Sequence, residues 1–97
     1  MEINPSDRDP RSKNILLVDD ERLILSSLAR RMRGHTVFKA LDVLSALGQL
    51  EEVKMDLVLT DYRMPGGDGI TLLDIVRRRY PHVRRAMMSA DPPLNLA

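Results

Sequence analysis

Two stretches of the sequence decide its fold: residues 15–20 read ILLVDD, and residues 56–61 read DLVLTD. Each contains a short run of apolar residues that leads into acidic ones, and such runs are typical of strands buried on both faces of a parallel sheet. In open α/β folds the carboxyl ends of the parallel strands meet at one edge of the sheet, and ligands bind there. We therefore expect Asp19, Asp20 and Asp61 to lie together at that edge.

These three acids predict a metal site. Clustered carboxylates repel one another and raise one another's pKa unless a cation lies between them. A set of oxygen ligands suits a hard divalent ion, above all Mg²⁺, and an aspartate beside such an ion can act as a nucleophile towards phosphorus. Taken singly, each acid could instead be a helix cap or a solvated loop residue. Their joint position after two buried strands favours the metal site.

Segments with helical and strand periodicity alternate along the rest of the chain. The predicted strands are Ile15–Val18, His35–Ala40, Asp56–Thr60 and Arg84–Ser89, and the predicted helices run from Glu21 to Gly34, from Asp42 to about Glu52 and from Ile70 to Tyr80. The first helix is expected to bury a face formed by Ile24, Leu25, Leu28 and Met32. The order β-α-β-α-β-α-β predicts an α/β fold with right-handed crossovers and a doubly wound parallel sheet.

The length of 97 residues favours one small domain. Residues 1–13 contain Pro5 and Pro10 and have no apolar periodicity, so we interpret them as a flexible lead-in to a domain that spans residues 14–97.

Composition excludes several classes of function. A formal net charge of +1 gives no case for attraction to nucleic acid, and the absence of cysteine excludes disulfides and thiolate metal sites. No apolar run approaches the roughly 20 residues that a membrane-spanning helix needs. We therefore expect a cytoplasmic protein that binds neither nucleic acid nor membranes.

The glycine-rich loop of residues 65–69 does not match the known phosphate-binding or calcium-binding loops. It lacks the spacing of a P-loop and of a dinucleotide fold, and Arg63 stands where an EF-hand needs its second acidic ligand. Ser89 is a different case, because it ends the fourth predicted strand at the same edge as the acids. Its hydroxyl could form a hydrogen bond with a phosphoryl oxygen there, although a strand-terminal serine is more often a turn residue.

Three separated motifs together resemble the receiver domain of two-component response regulators. They are ILLVDDE at residues 15–21, DYRMP at residues 61–65 with Gly69, and MSA at residues 88–90. The resemblance extends from about Asn14 to the end of the chain. It implies a flavodoxin-like fold, in which the parallel strands have the order 2-1-3-4-5.

The resemblance also implies a role for each site residue. Asp61 corresponds to the phosphoacceptor, and Asp20 and Asp61 would bind Mg²⁺ directly. Asp19 would bind it largely through a water molecule, and the backbone carbonyl of Arg63 would supply another oxygen. Ser89 matches the Thr/Ser switch residue of the family. The phosphoryl donor would be a sensor histidine kinase or a phosphotransfer protein.

Part of the receiver pattern is missing from the sequence. Receivers have a fourth helix, a fifth strand that ends in a lysine and a fifth helix, whereas eight residues follow Ser89, and Lys13, Lys39 and Lys54 are misplaced for the role of that lysine. We therefore expect the strand order 2-1-3-4, with the fifth strand and the last helices missing. The fourth strand would then be an open edge through which the chain could associate with itself.

The sequence thus predicts a non-enzymatic phosphoacceptor module of a bacterial phosphorelay that uses Asp61 and Mg²⁺. One alternative is an interaction module that is not phosphorylated and that binds partners through the helix containing Ile24 and Met32. A third reading, a metal-dependent phosphatase with an aspartate nucleophile, requires an acid two residues after Asp61. Arg63 occupies that position, which argues against this reading.

Overall fold

The computed structural model describes residues 9–88, which form four parallel strands, three helices and a short hairpin. In chain order the elements are β1 (Asn14–Val18), α1 (Arg22–Arg31), β2 (Thr36–Ala40), α2 (Val43–Glu52), β3 (Leu57–Asp61), β4 (Arg63–Met64), β5 (Gly67–Asp68), α3 (Gly69–Arg79) and β6 (Arg84–Met88). The four parallel strands have the spatial order β2-β1-β3-β6. The predicted doubly wound sheet and its order 2-1-3-4 are therefore confirmed, because β6 is the fourth long strand of the chain.

Both faces of the sheet are covered, which explains why β1 is apolar throughout. Leu16 and Val18 face a core formed with α2 and α3, whereas Ile15 and Leu17 face a second core formed with α1. Leu25 is the residue of α1 that is fully enclosed in this second core. Alternate side chains of one strand thus contact helices on opposite faces, as expected for a strand at the centre of a parallel sheet.

The register of the strands aligns the ends of β1 and β3. Val18 pairs with Thr60, and Asp61 pairs with Met88 of β6. The strand β3 ends at Asp61, whereas the sequence pattern predicted that it ends at Thr60 and that Asp61 follows it. The residues that follow β1 and the end of β3 consequently lie side by side at the carboxyl edge of the sheet.

Local interactions define where the helices begin. Asp42 caps α2 by accepting a 2.7 Å hydrogen bond from the Ser45 N–H, as predicted, and Asp68 caps α3 by accepting a 2.7 Å hydrogen bond from the Thr71 N–H. Such caps satisfy N–H groups that have no partner within the helix. The helices begin at the carboxyl edge of the sheet and end at its amino edge, where α1 and α3 finish in arginines: Arg30, Arg31, Arg77, Arg78 and Arg79.

Three local predictions are wrong. The helix α1 ends at Arg31 and not at Gly34, which lies in the turn that follows and has a φ of 91°. Ile24 is 38% exposed and does not belong to the buried face of α1. The glycine-rich stretch of residues 65–69, expected to be a loop, contributes β5 to the antiparallel pair β4–β5.

The strand β6 forms one side of the described sheet. Within residues 9–88 it pairs with β3 alone, and Arg84, Arg85 and Ala86 are exposed. No helix in this part of the chain has the length and apolar character to cross a membrane.

Candidate metal centre

Asp19, Asp20 and Asp61 meet at the carboxyl edge of the sheet. Each offers a carboxylate oxygen, and these oxygens lie within 4.8 Å of one another. The three side chains differ in environment, since Asp19 is 3% exposed, Asp61 is half-buried and Asp20 is exposed. The site is therefore an acidic cluster in which Asp19 is the most buried member.

Backbone interactions hold Asp19 in place. Its N–H donates a 3.1 Å hydrogen bond to the carbonyl of Ala40, which continues the pairing of β1 with β2 by one residue. Its carboxylate oxygen Oδ1 accepts a 2.9 Å hydrogen bond from the Glu21 N–H. Burial raises the pKa of Asp19 above its ordinary value, and the nearby charges of Asp61 and Asp20 raise it further, while the hydrogen bond from Glu21 acts in the opposite direction.

Asp61 is held by its own neighbours along the chain. The Tyr62 N–H donates a 2.8 Å hydrogen bond to Asp61 Oδ1, which orients the carboxylate. The buried hydroxyl of Thr60 donates a 3.0 Å hydrogen bond to the carbonyl of Asp61. The direction of this carboxylate is thus set by the peptide group that joins residues 61 and 62.

The three acids have no cationic partner in the described part of the chain. No ion pair within residues 9–88 includes any of them. Lys13 and Lys54 lie just before β1 and β3 at the opposite edge of the sheet, and Lys39 lies within β2. A set of oxygen ligands with uncompensated negative charge fits a hard divalent cation such as Mg²⁺.

The remaining predicted site residues are Arg63 and Ser89. Arg63 lies in β4 with an exposed side chain, and its guanidinium is 5.7 Å from the centre of the Tyr62 ring. Ser89 lies outside the described residues, although the preceding Met88 pairs with Asp61 at the acidic edge.

The sequence motif includes Gly69, but sequence reasoning assigned it no role at this site. Its N–H donates a 2.8 Å hydrogen bond to the carbonyl of Tyr62, so the first residue of α3 lies against the backbone that carries Asp61. In the sequence this glycine is one of several in a turn-rich segment. The available signal was its position immediately after the capping residue Asp68, where a helix begins.

The same edge carries exposed apolar side chains, which the sequence pattern also did not reveal. Leu23 is 85% exposed, Leu44 is 81% exposed and Ile70 is 45% exposed, and together with Ile24 they are the large exposed hydrophobic residues of the described chain. Each lies in the first turn of a helix, and all three helices begin at the carboxyl edge. Exposed apolar side chains therefore lie at the same edge of the sheet as the acidic cluster.

Comparison with known proteins agrees with this architecture. The sequence profile of the response regulator receiver domain matches residues 15–97. The response regulator protein FleR of Pseudomonas aeruginosa is 36% identical over 78 residues, which are 78% of this chain and 16% of FleR. Sporulation initiation phosphotransferase F of Bacillus subtilis is 32% identical over 88 residues, which are 88% of this chain and 70% of that protein.

A solved structure shows the same fold. The signal receiver domain of an HD domain-containing protein from Pseudomonas fluorescens Pf-5 superimposes with a TM-score of 0.81 at 35% identity, over 87% of this chain and 69% of that one. The profile match covers most of the chain, and the strand order and the acidic edge agree with it. The chain belongs to the response regulator receiver domain family of two-component systems.

Proposed function

We propose that this receiver accepts a phosphoryl group on the carboxylate of Asp61 in a Mg²⁺-dependent reaction. The observation that carries the proposal is the group of three carboxylates whose oxygens lie within 4.8 Å of one another without a cationic partner among the described residues. Such a group is costly unless its charge is used to hold a cation.

The residues present fit this ion. Asp20 and Asp61 would hold Mg²⁺ directly, Asp19 would act through water, and the Arg63 carbonyl would complete the protein's contribution. When bound, the ion would neutralise negative charge that develops on the phosphoryl oxygens. Asp19 is suited to an indirect role because its Oδ1 already accepts a hydrogen bond from the Glu21 N–H.

Asp61 would act as the nucleophile in the transfer. An oxygen of its carboxylate would attack phosphorus in line, forming an O–P bond while the P–N bond of a phosphoimidazole donor breaks and the departing imidazole takes up a proton. The hydrogen bond from Tyr62 to Oδ1 holds the carboxylate in one orientation, which favours attack because a positioned nucleophile has less freedom to lose. The acid would be a regulatory phosphoacceptor in the cytoplasm, not the active centre of an enzyme.

The donor in this proposal is a protein, a sensor histidine kinase or a phosphotransfer protein. The similarity to a sporulation phosphotransferase supports a place in a phosphorelay. The apolar side chains of Leu23, Leu44 and Ile70 at the acidic edge also support a macromolecular donor, because a small phosphorylated molecule would leave them uncovered.

The test is phosphorylation of the purified chain by acetyl phosphate with Mg²⁺, followed by intact mass. We expect one phosphoryl adduct to form slowly on the wild type and not at all on Asp61→Ala. The reaction should be slow because no lysine of the chain lies at the acidic edge to pair with the phosphoryl group. Asp68→Asn is the matched control and should retain the adduct, since Asp68 caps α3 and is not part of the cluster. An adduct that persists on Asp61→Ala, or a wild type that never acquires one, would overturn the proposal.

A further inference from the structure

Gly69 approaches the backbone of Asp61 more closely than any residue with a side chain could. A Cβ atom placed on Gly69 would overlap the carbonyl oxygen of Asp61 and would lie 3.0 Å from Thr60 Cγ2 and 3.1 Å from the Asp61 carbonyl carbon. Favourable contacts between carbon atoms are about 3.5–4.0 Å long. The φ of Gly69 is not positive, so its torsion angle alone would tolerate any residue. The close approach is therefore what requires a glycine here.

The peptide group beneath Gly69 is the one that orients the Asp61 carboxylate. Its carbonyl, that of Asp61, accepts the hydrogen bond from the Thr60 hydroxyl, and its N–H, that of Tyr62, donates to Asp61 Oδ1. The Gly69 N–H binds the next carbonyl along the chain, that of Tyr62. Any movement of this peptide away from α3 would carry the Tyr62 N–H, and with it the carboxylate, to a new position.

We propose that Gly69 is a positioning residue for the phosphoacceptor. Its lack of a side chain lets the first turn of α3 lie against the peptide that joins residues 61 and 62, and this contact fixes the Asp61 carboxylate relative to Asp19 and Asp20. The effect on reaction rate rests on the proposed phosphoacceptor function, whereas the effect on the position of the carboxylate does not.

Variants at two other glycines serve as controls, because they distinguish an effect on the position of Asp61 from a general effect on the stability of the fold. Gly48 lies within α2, and a Cβ there would meet nothing within 4 Å. Gly67 lies in β5, and a Cβ there would come 3.0 Å from Cγ2 of the Val43 side chain, away from Asp61. Alanine at Gly48 should stabilise the helix, and alanine at Gly67 should strain the packing of the hairpin without touching the phosphoacceptor.

The experiment compares Gly69→Ala, Gly67→Ala and Gly48→Ala with the wild type in three measurements. These are the urea midpoint of unfolding, the NMR chemical shift of the Tyr62 amide and the rate of phosphorylation by acetyl phosphate per folded molecule. For Gly69→Ala we expect a lower midpoint, a displaced Tyr62 resonance and a rate reduced at least about tenfold, because small misplacements of a nucleophile are costly. Gly48→Ala should raise the midpoint, and Gly67→Ala should lower it, with both rates within about twofold of the wild type.

Two outcomes would overturn the inference. One is a folded Gly69→Ala protein with the wild-type rate and an unchanged Tyr62 resonance. The other is a Gly67→Ala protein whose rate and Tyr62 resonance change as much as those of Gly69→Ala, since the effect would then be general strain.

A further variant covers the case in which Gly69→Ala does not fold. The double variant Gly69→Ala/Gly48→Ala adds a stabilising change in α2 that does not touch Asp61, and it should show the same displaced Tyr62 resonance and reduced rate as Gly69→Ala. A folded double variant with the wild-type rate and an unchanged Tyr62 resonance would also overturn the inference. A wild type that is not phosphorylated would contradict the proposed function, while the Tyr62 resonance would still decide the role of Gly69.

Discussion

The carboxylate of Asp19 accepts a hydrogen bond from the N–H of Glu21, the residue that precedes the first turn of α1. The Glu21 side chain itself makes no capping hydrogen bond. The most buried acid of the cluster therefore also satisfies a backbone donor at the start of a helix. Asparagine could keep this hydrogen bond through its side-chain oxygen but would carry no charge. The substitution Asp19→Asn therefore separates the hydrogen bond to Glu21 from the negative charge that Asp19 adds to the cluster.

We expect Asp19→Asn to stabilise the Mg²⁺-free protein at pH 7. Burial raises the pKa of Asp19 in the folded state, so over the range from its ordinary pKa of 3.8 up to the raised value the folded state binds more protons than the unfolded state. The free energy of unfolding of the wild type therefore falls as the pH rises through that range. Urea unfolding as a function of pH should show a gain for Asp19→Asn at pH 7 that disappears below the ordinary pKa.

Asp20→Asn should weaken Mg²⁺ binding by about tenfold or more, by analogy with the cost of disturbing groups around other metal ions. NMR titration of the wild type with Mg²⁺ should shift the resonances of Asp20, Asp61 and Arg63. Asp68→Asn should bind as the wild type does, because Asp68 lies outside the cluster. Shifts confined to other surface acids would show that the ion binds elsewhere.

The affinity for Mg²⁺ should also fall as the solution becomes acidic, since protons compete with the ion for Asp19, whose pKa is raised.

Asp42→Ala should lower the free energy of unfolding by about 1 kcal/mol, because it removes the acceptor for the Ser45 N–H at the start of α2. Asp42→Asn retains an acceptor oxygen and should cost much less. Urea denaturation of the two variants measures the difference. Equal losses would mean that the charge of Asp42 matters more than its hydrogen bond.

Within residues 9–88 no strand pairs with the outer side of β6, and we therefore expect the 97-residue chain to associate with itself or to be poorly stable as a monomer. Strands with unpaired backbone groups are templates for pairing with another chain, although charges such as those of Arg84 and Arg85 discourage it. Sedimentation and light scattering at several concentrations would measure association, and Ala86→Lys should reduce it by placing another charge on the strand. A concentrated monomer with a sharp and stable unfolding transition would contradict this expectation.

The sequence predicted the sheet and the acidic edge because both depend on strong, short-range patterns. The apolar runs before Asp19 and Asp61 identify buried strands, and parallel strands necessarily bring their carboxyl ends together. The orientation of α1 was harder to predict. Ile24 and Leu25 are adjacent, so helical spacing alone admits both to the apolar face, and only the packing of α1 on the sheet selects Leu25.

The short hairpin and the contact between Gly69 and Asp61 were not predicted, for different reasons. The strands β4 and β5 have two residues each, too few for any periodicity to identify them. The contact between Gly69 and Asp61 depends on where α3 lies in space, and no local pattern records that. In the sequence Gly69 was apparent only as part of the receiver-like motif and as a glycine beside a helix start.

The arginines that end α3 differ from the acidic cluster in how their charge is compensated. Arg77 and Arg78 pair with Asp74, and Arg79 pairs with Glu51. The three clustered acids take part in no ion pair within residues 9–88, although the formal net charge of the chain is +1. The carboxyl edge of the sheet should therefore attract a positively charged surface over a range of about 10 Å at moderate salt, an attraction that the net charge alone does not reveal.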